Sequence, residues 1–287
     1  MSNTADPSFR EAKERQGGPQ VSTADLFRLD GRTIIITGGA GYLGIQAAET
    51  VLEAGGHVVC LDVVPRPPPG PWAHLEQVAA QRELTVLFRQ LDLTQADAVN
   101  QAFADLSPQL RCPIRGLVAC AGVSDNDPAV NFSIERFRRL MEINVIGTFA
   151  AAKAVAAELQ RTNLNGSMVL VASMSGSVVN KGVDTAAYNT SKSGVLQLAR
   201  SLAAEWGSRK GMPLIRVNTL SPGYIRTPAT AEALQKPGME NQWVGDNMLY
   251  RLSSVDEFRG PILFLLSDAS SFMTAADLRV DGGHCAW

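Results

Sequence analysis

Tyr188 and Lys192 stand four residues apart in the segment AAYNTSK. On a helix, this spacing places the phenol and the ammonium group on one face. A nearby cation favours the phenolate, so such a tyrosine can act as an acid or base nearer neutral pH than its ordinary pKa of about 10. The same pair also occurs on helix surfaces with no catalytic part, so its meaning depends on the residues that the fold brings beside it.

A serine, Ser173, directly follows a short apolar run in the segment VASMSG. If that run is a strand of a parallel sheet, the serine lies at the carboxyl edge, where ligands of open parallel sheets bind. A hydroxyl group there can donate to a carbonyl oxygen and polarise the carbon for hydride attack. Taken alone, Ser173 would be an ordinary loop serine.

A glycine-rich octet, residues 37–44 (TGGAGYLG), follows an apolar β-branched run and opens a helical stretch. Glycines let the backbone approach a pyrophosphate, and a helix N-terminus offers free N–H groups to it. The alternative is a tight turn that binds nothing. Asp62 argues for a nucleotide, because it ends the next strand 18 residues after Gly44, close to the spacing of about 20 at which an acid meets the ribose hydroxyls of NAD.

The residues around Asp62 also bear on cofactor choice. A carboxylate at this position repels a 2′-phosphate, and no lysine or arginine stands in the octet or directly after Asp62, where Val63 follows. We therefore expect NAD to be favoured. Arg66, four residues after Asp62, keeps NADP open.

Short apolar runs alternate with helical stretches along the chain. A proline-rich loop at 65–71 lies between the second apolar run and the second helical stretch. The predicted strands are 33–37, 57–62, 84–90, 116–120, 168–172, 214–220 and 278–281. The predicted helices are 45–56, 72–82, 95–106, 133–161, 185–207 and 260–267. This order predicts an α/β fold, a Rossmann-like doubly wound parallel sheet, as a single domain over 25–287. The polar segment 1–24 is predicted to be a mobile arm.

Composition excludes several classes of protein. The chain has 287 residues with 26 Lys and Arg against 28 Asp and Glu, so no basic excess points to nucleic acid or to an anionic membrane surface. No run of apolar residues reaches signal-peptide or membrane-spanning length, which favours a cytoplasmic protein. The four cysteines form no CxxC pair and the three histidines no HxxxH pair, so no metal site is expected.

In chain order, these motifs resemble the short-chain dehydrogenase/reductase family, in its shorter single-domain branch, from about residue 29 to the C-terminus. The matching pieces are the glycine octet, Asp62, Asp92, Ala121 with Gly122, Asn144 in NVIGTF, Ser173, Tyr188 with Lys192, Pro222 with Gly223 and Thr227, and the closing VDGG.

The resemblance implies a role for each matching residue. Tyr188 would be the acid/base, Ser173 would hold the substrate oxygen, Lys192 would lower the pKa of Tyr188 and bind the nicotinamide ribose, and Asn144 would hold a water in a proton relay. The implied cofactor-binding residues are Thr37, Gly38, Gly41, Tyr42, Leu43, Gly44, Asp62, Asp92, Leu93, Ala121, Gly122, Tyr188, Lys192, Pro222, Gly223, Ile225 and Thr227. Of these, Asp92 and Leu93 would line the adenine, and Pro222, Gly223, Ile225 and Thr227 would hold the nicotinamide carboxamide. The resemblance also implies a homotetramer built on the helices at 133–161 and 185–207.

Three positions depart from the family pattern. The octet reads TGxxGxxG, the form of the longer, extended branch, because Tyr42 replaces a glycine. Cys120 stands where the family has an asparagine. Ser173 lies 15 residues before Tyr188, whereas Ser175 lies at the commoner 13; Ser173 is preferred because it stands three residues before Gly176.

The predicted function is therefore an NAD(P)-dependent oxidoreductase that interconverts a small secondary alcohol and a ketone, with Tyr188 as acid/base. The alternatives are a catalytically silent dinucleotide-binding module and a sugar-nucleotide epimerase-like enzyme. The segment 229–251 should form a lid over the substrate, with Met239, Trp243, Met248, Leu249 and Tyr250 as apolar candidates for the pocket wall or for core packing. The AAYNTSK and GGHCAW segments resemble fungal members that act on polyols or secondary-metabolite ketones.

Overall fold

The computed structural model describes residues 21–287, apart from the side chains of residues 229 and 232. Within these residues lies one sheet of seven parallel strands, in the order β3-β2-β1-β4-β5-β6-β7. The strands are β1 Thr33–Thr37, β2 His57–Asp62, β3 Val86–Gln90, β4 Ile114–Ala119, β5 Gly166–Val171, β6 Ile215–Pro222 and β7 Asp277–Val280. The predicted Rossmann-like parallel sheet is confirmed.

Helices cover both faces of the sheet. They are α1 Tyr42–Glu53, α2 Pro69–Gln81, α3 Ala96–Leu106, α4 Ile134–Met141, α5 Thr148–Thr162, α6 Ala186–Ser208, α7 Pro228–Leu234, α8 Met239–Gly245 and α9 Arg259–Leu266. One hydrophobic cluster joins the sheet to α3, α5 and α6, and a second joins it to α1, α2 and α9. The sheet is therefore buried between two helical layers.

This burial explains the composition of the strands. All five residues of β1 and all eight of β6 are buried, because both strands are paired on both sides and covered on both faces. The edge strand β3 has no buried residue. The continuous apolar runs in the sequence therefore mark the central strands.

The position of β1 decides where a ligand can bind. The chain passes from β1 to β2 on one side and later returns to β4 on the other side. In doubly wound sheets, such a switch point leaves a crevice at the carboxyl ends of the two strands. The glycine-rich octet follows β1 at this crevice.

Most predicted boundaries differ from the structure by one to three residues, and two of the differences have an identifiable cause. Helix α2 begins at Pro69, inside the loop predicted over 65–71, because proline is tolerated in the first turn, where its missing N–H needs no partner. The predicted helix over 133–161 contains a π-helical segment, Glu142–Gly147, between α4 and α5. Such segments insert one residue per turn and are common at functional sites.

The stretch Ile134–Thr162 is long and apolar enough to cross a membrane by length and composition, although 44% of its most apolar window is buried inside the fold. Ala151, Ala152, Val155 and Leu159 on α5 lie in the hydrophobic cluster beneath the sheet. Packing against the sheet therefore accounts for much of this apolar character.

The predicted arm over 1–24 lies mostly outside the described residues. Of it, residues 21–24 are exposed. A 3₁₀ turn, Asp25–Phe27, then leads to Leu29, which is fully buried. The mobility of the arm stays a prediction.

Replacing Gly44 by alanine should destabilise the fold. A Cβ on Gly44 would lie 2.1 Å from the carbonyl oxygen of Gly38, which is backbone and cannot swing away. We expect Gly44→Ala to lower the free energy of unfolding by about 1–3 kcal/mol, as other overpacked sites do. Urea unfolding followed by circular dichroism measures this.

Gly70 in α2 supplies the matched control, because a Cβ there would meet no atom within 4 Å. Gly70→Ala should change stability by less than about 0.5 kcal/mol, as at other open surface positions. Equal stabilities of the two variants would contradict the close approach at Gly44.

Candidate active site

Two adjoining cavities open at the carboxyl edge of the sheet. The larger, of about 800 Å³, lies beside the glycine turn and the ends of β2 and β3. The smaller, of about 320 Å³, lies beside the ends of β5 and β6. Cys120, Gly122 and Val123, which follow β4, line both cavities. The arrangement therefore suits an elongated ligand that extends from one cavity into the other.

The glycine turn is held tightly against the end of β4. Gly38 adopts a φ of +64°, and a Cβ there would lie 2.8 Å from the backbone nitrogen of Ala121. The hydroxyl of Thr37 accepts a hydrogen bond from that nitrogen at 3.3 Å. Helix α1 begins at Tyr42, so its first N–H groups have no partner four residues earlier. These donors can hold a pyrophosphate.

Asp62 lies in the wall of the larger cavity. Its Oδ2 accepts a hydrogen bond from the N–H of Ala40 at 3.0 Å, and its Oδ1 accepts one from Val64 at 3.3 Å. These bonds fix the carboxylate beside the glycine turn. Asp92 and Leu93 line the same cavity. The Oδ1 of Asp92 accepts hydrogen bonds from both the N–H and the hydroxyl of Thr94. The larger cavity thus brings together the residues predicted for the adenosine half of the cofactor.

The residues predicted for the nicotinamide end, Pro222, Gly223, Ile225 and Thr227, line the smaller cavity, and so does Leu43 of the glycine octet. A Cβ on Gly223 would lie 2.7 Å from the Cα of Asp281, so only glycine fits this turn after β6. The N–H of Thr227 donates to the hydroxyl of Thr230 at 3.1 Å.

Ser173 and Tyr188 meet in the smaller cavity. Ser173 is 9% exposed, and its hydroxyl accepts a hydrogen bond from the N–H of Ser175 at 3.1 Å. Burial raises the pKa of the Tyr188 phenol above its ordinary value, and a hydrogen bond with Ser173 offsets part of this rise. Ser173, Ser175 and Tyr188 all line this cavity, and of the two serines Ser173 is the one that affects the pKa of the tyrosine.

Lys192 lies beneath the tyrosine. Its Nζ donates to the carbonyl oxygen of Val171 at 2.9 Å and stands 5.8 Å from the centre of the Tyr188 ring. Burial lowers the pKa of Lys192 to about 8. The effect of Lys192 on the pKa of Tyr188 stays a prediction, since the causes that act on this pKa here are burial, which raises it, and Ser173, which lowers it in part.

Asn144 lies in the π-helical segment and is fully buried. Its side chain accepts from the N–H of Val123 at 2.8 Å and donates to the carbonyl of the same residue at 2.9 Å. Its Nδ2 also donates to the hydroxyl of Ser191, next to Lys192, at 3.0 Å. Asn144 thus joins the loop after β4 to the start of α6.

The three departures from the family pattern have distinct surroundings. Tyr42 is 58% exposed at the start of α1 and lines neither of the two cavities. Cys120 donates its N–H to Thr37 at 3.1 Å, and burial raises the pKa of its thiol to about 12 despite the attraction of Lys192. The long spacing from Ser173 to Tyr188 lies in a loop that contributes Asn180 and Val183 to the cavity wall.

Asn180, Tyr224 and Thr230 are among the residues of the smaller cavity to which the sequence assigned no role. Tyr224 stands between the predicted Gly223 and Ile225, so its position in PGYIRT was a usable signal. Asn180 had no such signal, because the long loop carries no recognisable pattern.

The predicted lid over 229–251 contains most of α7 and all of α8. Trp243 is 4% exposed and lines the smaller cavity, and Met239 is buried. Met248, Leu249 and Tyr250 are 42%, 61% and 67% exposed, so they are neither core nor wall of this cavity. They follow α8 in a surface turn, where periodicity gives no guide to burial.

Comparison with known proteins identifies relatives along nearly the whole chain. A family model described as enoyl-(acyl carrier protein) reductase matches residues 39–284. The chain is 61% identical over 285 residues to an Aspergillus versicolor protein named short chain dehydrogenases/reductase notP', covering 99% of this chain and 98% of that one. It is 36% identical over 272 residues to the ribulose-forming D-arabinitol 2-dehydrogenase of Candida tropicalis, covering 91% of this chain and 95% of the relative.

Solved structures show the same fold. The NADPH-dependent 3-quinuclidinone reductase from Rhodotorula rubra has 30% sequence identity and a TM-score of 0.84, covering 96% of this chain and all of that one. The similarity in sequence and in structure therefore extends over both cavities.

Proposed function

The chain belongs to the short-chain dehydrogenase/reductase family, and we propose that Asn144, Ser173, Tyr188 and Lys192 carry out its reaction. The enzyme is an oxidoreductase that interconverts a secondary alcohol and a ketone by hydride transfer. The proposal rests on the placement of Ser173, Tyr188 and Lys192 in the wall of one cavity, which adjoins the cofactor-sized one.

The cavities fit the NAD(P) that this family uses. A Cβ at Gly38 or Gly44 would fill space in the turn before α1. The first N–H groups of α1, which have no partner within the helix, lie at this turn and can bind a pyrophosphate. Asp62 would meet the adenosine ribose, and Gly223 and Thr227 would hold the nicotinamide end. When bound, the cofactor supplies a hydride to the ketone carbon or accepts one from the alcohol carbon.

Ser173 and Tyr188 act on the substrate oxygen. In reduction, the Ser173 hydroxyl donates a hydrogen bond to the ketone oxygen and polarises the carbonyl, while the Tyr188 hydroxyl transfers its proton to that oxygen. In oxidation, ionised Tyr188 takes the proton from the alcohol. Because burial raises the pKa of Tyr188, the phenol is protonated at neutral pH and ready for reduction.

Lys192 and Asn144 support this proton transfer. The Lys192 amine, with a pKa of about 8, exchanges its proton near physiological pH. Gly122 lies against both groups, since a Cβ there would stand 3.2 Å from Asn144 Oδ1 and 3.4 Å from Lys192 Nζ. Asn144 thereby holds the loop that covers Lys192. We propose that it also holds a water in a proton relay.

We propose a homotetramer as the assembled enzyme. Ile134 on α4, Ile146 in the π-helical segment and Phe149 on α5 are 60%, 48% and 41% exposed. Apolar side chains so exposed on one helical stretch would be covered by a second copy of the chain.

The relatives' names support a preference for small polyols or their ketones. D-arabinitol 2-dehydrogenase and galactitol 2-dehydrogenase both act at a secondary hydroxyl of a neutral polyol by their names. We propose the same class of neutral, oxygen-rich substrate for this enzyme.

Tyr188→Phe should remove turnover and keep cofactor binding, since it deletes the proton donor and retains the ring. We expect kcat to fall by about 10²–10⁴-fold, with the Kd for NADH from fluorescence titration unchanged. In the wild type, kcat/KM for alcohol oxidation should rise with pH, because the raised pKa of Tyr188 leaves little phenolate at neutral pH.

A serine pair provides the control. Ser173→Ala should lower kcat by about 10²-fold or more, as loss of a carbonyl-polarising donor does, whereas Ser175→Ala should cost less than Ser173→Ala. Turnover retained in Tyr188→Phe, or a larger loss in Ser175→Ala, would overturn the assignment.

We also propose NAD as the preferred cofactor, although a structural relative is named as NADPH-dependent. The carboxylate of Asp62 lies in the wall of the adenosine cavity, where it would repel a 2′-phosphate. Asp62→Ser should shift the kcat/KM ratio toward NADPH by roughly tenfold or more, the equivalent of about 1.4 kcal/mol. Initial rates with both cofactors measure this.

Arg66 is the control for cofactor choice. Its side chain is exposed and lines neither cavity, so Arg66→Ala should leave the ratio unchanged. A wild type that prefers NADPH and loses that preference in Arg66→Ala would assign the 2′-phosphate to Arg66 instead.

Light scattering tests the assembly. A homotetramer should have about four times the chain mass of 30.7 kDa. Phe149→Glu should reduce this mass, because a charge on the exposed apolar face cannot be buried without a partner. A wild type that stays at the monomer mass would contradict the tetramer.

A further inference from the structure

Two polar residues of the smaller cavity have no part in the proton transfer described above. Tyr224 follows Gly223 in the turn after β6, and Asn180 lies in the loop between β5 and α6. Asn180 is 6% exposed, and its Nδ2 donates a hydrogen bond to the hydroxyl oxygen of Tyr224 at 3.2 Å. Both residues line the cavity that contains Ser173 and Tyr188.

The ring of Tyr224 is held rigidly. It stacks on Trp243 of α8, with ring centres 3.9 Å apart and planes 4° from parallel. His284, near the C-terminus, meets it edge-on at 5.4 Å. Aromatic contacts of this kind restrict a side chain to one orientation, so the hydroxyl of Tyr224 is a preorganised group.

The Tyr224 hydroxyl has a hydrogen that it can still donate. Its oxygen accepts from Asn180, so its hydrogen points elsewhere. The Oδ1 of Asn180 in turn accepts from the Thr185 hydroxyl at 3.4 Å. Burial raises the pKa of Tyr224, which keeps the phenol protonated and able to donate.

The charge of the cavity limits what this donor can meet. Among the side chains that the structure describes, the cavity-lining groups other than Lys192 are uncharged, and Lys192 already donates to Val171. A cationic ligand would therefore lack a counter-ion, and an anionic one would have only Lys192, so the burial of a charge away from Lys192 would be costly. A neutral oxygen suits the Tyr224 hydroxyl.

We propose that Tyr224 and Asn180 form a subsite for a second oxygen of a neutral substrate. The enzyme then selects a hydroxy ketone, or the corresponding diol, over a simple ketone with the same carbon skeleton. Tyr224 determines specificity and takes no part in hydride or proton transfer. This inference rests on the proposed function, because it assigns the remainder of the substrate to the same cavity.

The test compares 2-pentanone with its 3-, 4- and 5-hydroxy derivatives, using the preferred reduced cofactor. The wild type should show a kcat/KM about tenfold or more higher for at least one hydroxy ketone, since a site built to bind a hydroxyl rejects the analogue that lacks it. Tyr224→Phe keeps the stacked ring and should remove about tenfold of this advantage. Its kcat/KM for 2-pentanone should fall less than its kcat/KM for the hydroxy ketone, because 2-pentanone has no hydroxyl for Tyr224 to bind.

Tyr250→Phe is the matched control, because Tyr250 is 67% exposed and lines neither the substrate nor the cofactor cavity. It should leave both activities unchanged. An equal loss of both activities in Tyr224→Phe would reveal a structural role and overturn the subsite, as would an unchanged preference for the hydroxy ketone.

The subsite and the proposed function fail in different ways. If Tyr188→Phe abolishes turnover while Tyr224→Phe leaves the preference intact, the subsite alone is overturned. If the wild type reduces none of the four ketones, quenching of tryptophan fluorescence in its cofactor complex reports their affinities. A hydroxy ketone that binds no tighter than 2-pentanone would then overturn the subsite.

Discussion

The close contact between the glycine turn and the end of β4 is the constraint on which both cavities depend. Gly38 lies so near Ala121 that a Cβ would stand 2.8 Å from its nitrogen, and Gly44 lies against Gly38 in the same way. This contact lets α1 begin at the edge of the sheet and directs its free N–H groups into the crevice. It also places Gly122 over Lys192, so the cofactor cavity and the catalytic groups share one wall.

Desolvation sets the pKa values of the titratable groups along this shared wall. Burial lowers the pKa of Lys192 to about 8, raises that of Tyr188 and raises that of Cys120 to about 12. In each case the low-dielectric surroundings favour the neutral form. Tyr188 and Cys120 are therefore neutral at pH 7, whereas Lys192 is still charged there and loses its proton at slightly higher pH. The other side chains that line the smaller cavity, Tyr224 among them, are uncharged.

Much of this could be predicted from the sequence, for reasons specific to each element. The strands were found because a strand covered on both faces must be apolar throughout, as β1 is. Glycines fix the nucleotide turn because no other residue fits at Gly38 or Gly44. The start of α2 at Pro69 and the π-helical segment around Asn144 were missed, because proline marks both loops and first turns and a π-helical insertion leaves no sign in the pattern.

The sequence by itself determined the parallel sheet, the nucleotide turn and the identity of the candidate catalytic residues, because each depends on local residue types at short spacing. Only the tertiary structure decided how those residues influence each other. It brought Ser173, and not Ser175, near enough to affect the pKa of Tyr188, and it buried the phenol, which raises that pKa. It also joined Asn180, Tyr224 and Trp243 at one end of the cavity, although they are far apart in the chain. Desolvation and long-range contacts depend on what the whole fold packs around a group, and no short segment contains that information.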